Sequence, residues 1–227
     1  MEEIQQNYMN ISSRIAKAGS GKGLWEQKIV LVAVSKSQTA ENIERLIACG
    51  VMHFGENRVQ EAHGKWGGLK KKYPDICLRL IGPLQSNKVG EAVALFDVIE
   101  TVDREKIAAL IAKESQSQGK IPACFIQVNI GKEPQKSGIF PEETESFFRV
   151  CRERHHLNVA GLMGIPPAGE PPAPYFALLK TLKDRLGLAE LSMGMSGDFE
   201  TAIAFGATEV RIGTALFGPR GQAAHYQ

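Results

Sequence analysis

Residues 28–36 read KIVLVAVSK, and the interpretation of the whole chain starts from this stretch. Its centre is an uninterrupted apolar run rich in β-branched residues, which is typical of a strand buried on both faces. The run ends in Ser35 and Lys36, and a helix capped by Thr39 is predicted for residues 40–49. Because strand ends face the ligand side of α/β folds, Lys36 is a candidate nucleophile for an imine. Taken alone, the stretch favours the alternative, a lysine that merely extends to solvent.

Strand-like and helix-like segments alternate outward from this run. Seven further strands are predicted over residues 52–55, 77–81, 97–101, 122–129, 157–163, 190–193 and 209–212. The predicted helices cover residues 56–72, 86–95, 103–118, 141–154, 174–186 and 198–206, with a helical turn from residue 213. Asp103 and Asp198 are the expected caps of their helices. Most strands read as apolar on both faces, as a parallel sheet covered by helices requires.

Eight strand–helix units most simply close into a (β/α)8 TIM barrel. An open doubly wound sheet is the alternative, but its Gly-rich first turn is missing, since residues 35–38 read SKSQ. No linker divides the chain, so we predict one domain over residues 1–227. Residues 2–18 add an N-terminal helix, because Ile4, Tyr8, Ile11 and Ile15 are spaced for one helix face.

Composition excludes several classes of function. The chain is 43% hydrophobic and 23% charged with a net charge of +2, so no strong field favours nucleic acid as a partner. The acidic, polar start is not a signal peptide, and no apolar run is long enough to span a membrane. We therefore expect a cytoplasmic protein without membrane contact. Cys49, Cys77, Cys124 and Cys151 form no C-x-x-C pair and are expected to be free thiols rather than zinc ligands.

Polar groups concentrate at the predicted strand ends, which in a barrel line one mouth. After strands seven and eight the chain reads MGMSGD over residues 193–198 and IGTA over residues 212–215. Glycines let backbone N–H groups approach an anion, and these two loops are the usual phosphate site of barrel enzymes. Lys36, this phosphate site and Arg211 together provide the parts needed to hold pyridoxal phosphate. A cofactor-free Schiff-base aldolase acting on a sugar phosphate would use the same lysine and phosphate site.

Seven motifs resemble the signatures of the pyridoxal phosphate homeostasis protein family. They are AVSK at 33–36, FGENRVQE at 54–61, IGPLQSNK at 81–88, QVN at 127–129, KSG at 136–138, GLM at 161–163 and the run 191–218. They cover nearly the whole chain in order. That family is similar to the N-terminal barrel of alanine racemase and lacks its second, β-rich domain. The resemblance implies a TIM barrel of the alanine racemase N-terminal type, pyridoxal 5'-phosphate as cofactor, and a monomer.

The resemblance also implies the residues that bind the cofactor. They are Lys36, Asn57, Met195, Ser196, Arg211, Gly213 and Thr214. Of these, Lys36 carries the imine, Arg211 faces the pyridine nitrogen, and Asn57 and Met195 line the cofactor. The phosphate is held by the remaining three. One departure is visible, because Arg79 stands where the family usually has histidine.

The same residues favour cofactor binding over catalysis. An arginine opposite the pyridine nitrogen disfavours its protonation and makes the ring a poorer electron sink. A racemase also needs a second base, and no tyrosine suits that role: Tyr8, Tyr73 and Tyr175 are expected away from the mouth, and Tyr226 is in the tail. We predict a protein of intracellular vitamin B6 homeostasis without robust catalysis, which passes the cofactor to dependent apoenzymes. The alternative is an amino-acid racemase or lyase using the same imine.

Other lysines are expected near the mouth, and one of them is a possible secondary acceptor for the aldehyde. They are Lys88, Lys132 and Lys136. A pure interaction protein is the least favoured reading, because it would not need polar groups at one mouth.

Overall fold

Eight parallel strands close into one barrel in the order in which they occur along the chain. The computed structural model describes residues 3–20 and 28–218. The strands are β1 (Val30–Val34), β2 (His53–Glu56), β3 (Cys77–Leu80), β4 (Val98–Val102), β5 (Ala123–Val128), β6 (Val159–Gly164), β7 (Glu190–Ser192) and β8 (Glu209–Ile212). The predicted (β/α)8 barrel is therefore confirmed.

Helices surround the barrel. They are α1 (Glu3–Gly19), α2 (Ala40–Ala48), α3 (Val59–Lys72), α4 (Val89–Leu95), α5 (Glu105–Gln118), α6 (Thr144–Arg149), α7 (Ala173–Arg185), α8 (Phe199–Ala204) and α9 (Thr214–Phe217). Short 3-10 turns precede α4 and α6, and a π-helical turn continues α6. No helix within the described ranges is long and apolar enough to cross a membrane.

The N-terminal helix α1 packs on α8 and α9, the two helices that follow the last strands of the barrel. Its buried face is Ile4, Ile11 and Ile15, the spacing from which the helix is predicted. At the edge of this contact the Arg14 guanidinium lies 2.8 Å from the Glu200 carboxylate. The expected extra N-terminal helix is confirmed.

The helix caps agree with prediction in one case of three. The Thr39 side chain accepts an N–H from the first turn of α2, as expected. Asp103 does not cap α5, because its carboxylate accepts a hydrogen bond from the neighbouring Arg104 guanidinium, and Arg104 itself holds the cap position. Asp198 does occupy the cap position of α8, but its side chain turns back to accept the Met195 N–H at 2.6 Å. Both aspartates satisfy donors in the preceding loop instead of the helix.

The barrel interior differs from the expectation that the strands are apolar on both faces. Four ionisable side chains are buried inside the barrel, Arg79, Glu100, Glu209 and Arg211, and a fifth, Glu56, is buried against α3. Arg79 lies on β3 and Glu209 on β8, which are not neighbouring strands, so their 2.7 Å contact crosses the interior. Apolar side chains fill another part of it, with Phe125 as the largest of a small separate cluster. Each of the two guanidinium groups lies within 4 Å of at least one of the two carboxyl groups, which reduces the cost of burying it.

The four cysteines are free thiols, as predicted. Cys124 and Cys151 are buried, and desolvation raises the pKa of each to about 12. These thiols are inert at neutral pH.

Candidate functional site

The strand register brings three predicted site residues to one edge of the barrel. Val34 of β1 pairs with Gly55 of β2, so Lys36 and Asn57, each two residues further along, follow neighbouring strands at the same edge of the barrel. On the other side of β1, a Cβ atom built on Gly213 would lie 3.4 Å from the Val34 Cβ atom. Lys36 therefore stands between the loop after β2 and the loop after β8.

The Lys36 amine is available for chemistry. The side chain is half-buried, and within the described ranges it makes no hydrogen bond or ion pair. The other three mouth lysines are all ion-paired: Lys88 with Glu91 at 2.8 Å, Lys132 with Glu142 at 3.1 Å and Lys136 with Glu133 at 2.5 Å. An imine on any of these three would first have to break its ion pair.

The loop after β7 has a shape that requires glycine. Gly194 has φ +92°, and a Cβ atom there would lie 2.6 Å from the Ala202 Cβ atom. The loop is closed by the Asp198 carboxylate on the Met195 N–H. Ser196 lies at the tip, half-buried, and its hydroxyl makes no hydrogen bond within the part of the chain that the structure describes. A hydroxyl in this state is free to donate to an anion.

The loop after β8 lies against the loop after β7. The Arg211 N–H donates to the Gly194 carbonyl at 3.0 Å, which ties the two loops together at the ends of their strands. Gly213 follows β8 and holds the cap position of the short helix α9, and Thr214 is exposed in the first turn of that helix. The structure thus brings Gly213 and Thr214 to the same edge as Ser196.

Arg211 forms the floor of the mouth. One guanidinium nitrogen donates to the Ser192 hydroxyl at 2.6 Å, and another donates to the Gly164 carbonyl at 3.3 Å. Since Gly164 and Ser192 are the last residues of their strands, the guanidinium lies where the strands end. Ser192 in turn donates to Glu100 at 2.6 Å. Sequence reasoning missed Ser192 and Glu100, although a glutamate in the middle of an apolar strand was a visible signal.

Arg79 lies deeper in the barrel than the mouth. Its guanidinium is 2.7 Å from Glu209 and 3.2 Å from Glu100. Burial and the Glu100 carboxylate raise the pKa of Glu209 to about 8, and the attraction of Arg79 does not offset them. Burial and the nearby Arg79 lower the pKa of His53 to about 4, so this histidine is neutral at pH 7. Arg79, the departure from the family pattern, is part of the interior ion network.

A cavity of about 250 Å³ opens at the mouth on the side away from the two glycine loops. Asn57, Gly82, Gln127, Lys136 and Ile165 are among its lining residues. The loops that form it are tightly packed, because a Cβ atom on Gly82 would lie 2.2 Å from the Asn57 carbonyl oxygen. Asn57 thus lines this cavity and follows β2, the strand next to the one that Lys36 follows.

A larger cavity of about 850 Å³ lies beside α1 at the opposite end of the barrel. Its lining includes Ser20 and Lys28, between which residues 21–27 are outside the described ranges. It contains none of the predicted site residues.

Three further residues named in the sequence analysis remain to be placed: Tyr175, Met195 and Tyr226. Tyr175 lies in the first turn of α7, on the mouth side of the barrel, where its hydroxyl donates to Glu170 in the loop after β6. The prediction that Tyr175 lies away from the mouth is therefore wrong, because α7 begins where β6 ends. Met195 is at the mouth but 40% exposed, and Tyr226 lies outside the described residues.

Comparison with known proteins identifies relatives over nearly the full length. A family model for the alanine racemase N-terminal domain matches residues 2–221. The pyridoxal phosphate homeostasis protein of Aquifex aeolicus (strain VF5) is 40% identical over 219 residues, covering 92% of this chain and 95% of that protein. The protein of the same name from Escherichia coli (strain K12) is 37% identical over 231 residues, covering 97% and 98%.

Solved structures agree. PipY of Synechococcus elongatus PCC7942, solved with PLP bound, has a TM-score of 0.81 and 33% identity, covering 95% of this chain and all (100%) of that one. Alanine racemase of Clostridium difficile 630 has a TM-score of 0.71 at 15% identity, covering 96% of this chain and 58% of that one. The second likeness shows the shared barrel fold alone.

Proposed function

Because this chain belongs to the alanine racemase N-terminal domain family, we propose that it binds pyridoxal 5'-phosphate at the barrel mouth as an imine on Lys36. The observation that carries the proposal is the state of that amine. Lys36 has no polar partner within the described ranges, whereas Lys88, Lys132 and Lys136 are all ion-paired. The solved PipY structure with PLP bound, at 33% identity, supports the same ligand.

The residues around Lys36 fit the groups of this cofactor. A phosphate needs hydrogen-bond donors, and Ser196 and Thr214 supply hydroxyls beside the backbone of Gly213. Asn57 follows the strand next to that of Lys36, and Met195 lies exposed in the loop after β7, so each would line the ring. Four of these positions are loop residues that follow barrel strands, and Thr214 begins α9 two residues after β8 ends, which suits a binding site.

Arg211 sets the electronic character of the site. When bound, the cofactor supplies an aldehyde carbon and a ring that withdraws electrons. Arg211 carries only donors, so it would donate to the pyridine nitrogen and cannot accept a proton from it. Its positive charge, held in place by Ser192 and Gly164, also disfavours a second positive charge beside it. The site therefore favours holding the cofactor over driving carbanion chemistry.

The finer parts of the proposal concern cellular role. We propose that one domain over residues 1–227 acts as a monomer in the cytoplasm, in vitamin B6 homeostasis without robust catalysis. It would keep the reactive aldehyde bound and release it to PLP-dependent apoenzymes. The homeostasis names of relatives at 37–40% identity support this role.

The deciding experiment is absorption spectroscopy of the purified protein with added pyridoxal 5'-phosphate, followed by borohydride reduction and mass mapping. We expect a visible imine band and a label on Lys36. Lys36→Ala should lose both, whereas the control Lys132→Ala should keep them. A wild-type protein that gains no imine band would refute cofactor binding and favour the hypothesis of a cofactor-free Schiff-base aldolase. Deuterium exchange at the α-carbon of added amino acids, at rates typical of enzymes, would refute the carrier role.

A further inference from the structure

The backbone on both sides of Lys36 is held by one turn of helix α3. The Lys65 ammonium donates to the Ser35 carbonyl at 2.7 Å, just before Lys36. The Ser37 N–H, just after it, donates to the Glu61 carboxylate at 2.5 Å. Glu61 and Lys65 also pair with each other at 3.0 Å, as residues four apart on a helix do. The Glu61–Lys65 ion pair therefore holds the turn that carries Lys36 through one hydrogen bond to the residue before Lys36 and one to the residue after it.

Ser37 shows that this turn needs to be held. Its φ is +60°, in the left-handed region that residues other than glycine rarely adopt. Such a conformation persists when the surroundings stabilise it, and it concentrates at functional sites. The Glu61 carboxylate provides that support, and the Gln38 N–H closes the turn onto the Ser35 carbonyl at 3.0 Å.

The ion pair is itself anchored to buried structure. Glu56 of β2 is fully buried, and one of its oxygens accepts from the Ser35 hydroxyl at 2.7 Å and from the Trp66 ring N–H at 3.0 Å. The Lys65 ammonium lies 2.9 Å from the same oxygen. The Lys65 ammonium therefore contacts two carboxylates and the Ser35 carbonyl, which gives one acceptor for each of its three N–H donors.

Glu61 remains ionised at neutral pH. Burial works against its charge, but the Ser37 N–H and the Lys65 ammonium hold the pKa of this carboxyl below its ordinary value. Its side chain is 32% exposed, so Glu61 can be replaced without opening a hole in the core.

We propose that Glu61 and Lys65 are positioning residues that fix the direction in which Lys36 leaves β1 and hold its amine at the mouth for imine formation. The inference rests on the proposed function, because the position of the Lys36 amine matters only if that amine forms the imine. Lys36 has no side-chain partner within the described ranges, so its backbone is what orients it. A turn ordered before binding leaves less conformational entropy to be lost when the imine forms.

The test compares two ligands on Glu61→Ala. Pyridoxal 5'-phosphate reports imine formation, and pyridoxine 5'-phosphate, which has an alcohol in place of the aldehyde, reports binding of the ring and phosphate alone. We expect Glu61→Ala to weaken pyridoxal 5'-phosphate binding about tenfold, the size of one lost hydrogen bond to a charged group. Pyridoxine 5'-phosphate affinity should change by less than about twofold, because the phosphate loops are untouched.

Two further variants act as controls. Glu61→Gln keeps an oxygen that can accept the Ser37 N–H and should stay within about threefold of wild type. Glu145→Ala removes an exposed carboxylate that pairs with Arg149 on α6, four residues away, and should change neither affinity.

Several outcomes would overturn the inference. Wild-type imine affinity in Glu61→Ala would do so, as would equal weakening of both ligands, which indicates a general structural role. If Glu61→Ala does not fold, Lys65→Met serves instead, because it removes the hydrogen bond to the Ser35 carbonyl. Lys65→Met must then weaken pyridoxal 5'-phosphate binding and leave pyridoxine 5'-phosphate binding nearly unchanged. A wild-type protein without an imine band would refute the proposed function as well, whereas a wild-type band with an unaffected Glu61→Ala refutes the positioning role alone.

Discussion

Glu209→Gln should remove a pH dependence from the stability of the barrel. Burial among charged groups raises the pKa of Glu209 from 4.5 to about 8 in the folded protein. The folded state therefore keeps this proton at pH values where the unfolded chain has lost it. The stability that Glu209 contributes is complete below pH 4.5 and is lost as the pH rises through about 8.

The size of the effect follows from the shift. Each unit of pKa difference is worth about 1.4 kcal/mol, and between about pH 6 and about pH 8 the loss is about 2 kcal/mol. Solvent screening does not reduce this free energy, because the Glu209 side chain is only 2% exposed. Glutamine cannot titrate but can still accept the Arg79 hydrogen bond, so Glu209→Gln should lack this loss, and its stability relative to wild type should rise by about 2 kcal/mol between about pH 6 and about pH 8.

Urea unfolding at about pH 6, pH 7 and pH 8 measures the difference, with free energies of unfolding compared between wild type and variant. Staying below about pH 8.5 avoids ionisation of unfolded cysteines, which would add its own slope. Glu145→Gln, on the surface, should follow the wild-type slope. Parallel slopes for wild type and Glu209→Gln would refute the reasoning, because they would mean that Arg79 keeps Glu209 ionised throughout.

Two further predictions concern the scaffold of the site. Gly82→Ala should lower the free energy of unfolding by about 3 kcal/mol, since its Cβ atom would lie 2.2 Å from the Asn57 carbonyl oxygen. Gly68 lies in α3, and a Cβ atom built there has no neighbour within 4 Å, so Gly68→Ala should instead raise the free energy of unfolding by roughly 0.5–1 kcal/mol. Equal melting temperatures for the two variants would contradict this contrast. Thr39→Ala should cost about 1 kcal/mol in thermal unfolding because the N–H of Asn42 loses its acceptor; no change would mean that water replaces the cap.

The fold was predictable because its signals are local. Each strand is a short apolar run next to a helix-like segment, and strand boundaries differ from prediction by only one or two residues, as in β5 (Ala123–Val128). Periodic isoleucines alone predict α1. The cap positions of Thr39 and Asp198 were predicted correctly, but that of Asp103 was not, because Arg104 holds the cap position of α5. The hydrogen-bond donors that the Asp103 and Asp198 carboxylates accept from were not predictable, because neither donor is an N–H group of the helix that follows.

The candidate site was predictable in outline. Lys36 follows a buried strand, and the two glycine loops follow the last strands, so barrel closure alone brings them to one mouth. The family resemblance added Asn57 and Met195. Glu61 entered the sequence analysis only as the last residue of the motif at 54–61, and nothing in the sequence showed that Glu61 and Lys65 would hold the turn around Lys36.

The sequence by itself determined the barrel, the N-terminal helix and the lysine at the end of β1, because these depend on neighbours in the chain. Only the tertiary structure decided the polar interior. Arg79 and Glu209 are 130 residues apart in sequence and on strands that are not neighbours, so they meet only when the barrel closes. The left-handed Ser37 was decided in the same way, because its stabilising carboxylate comes from α3, 24 residues further along the chain. Long-range electrostatic partners leave no periodic trace in a sequence, and here they orient the residues that form the mouth.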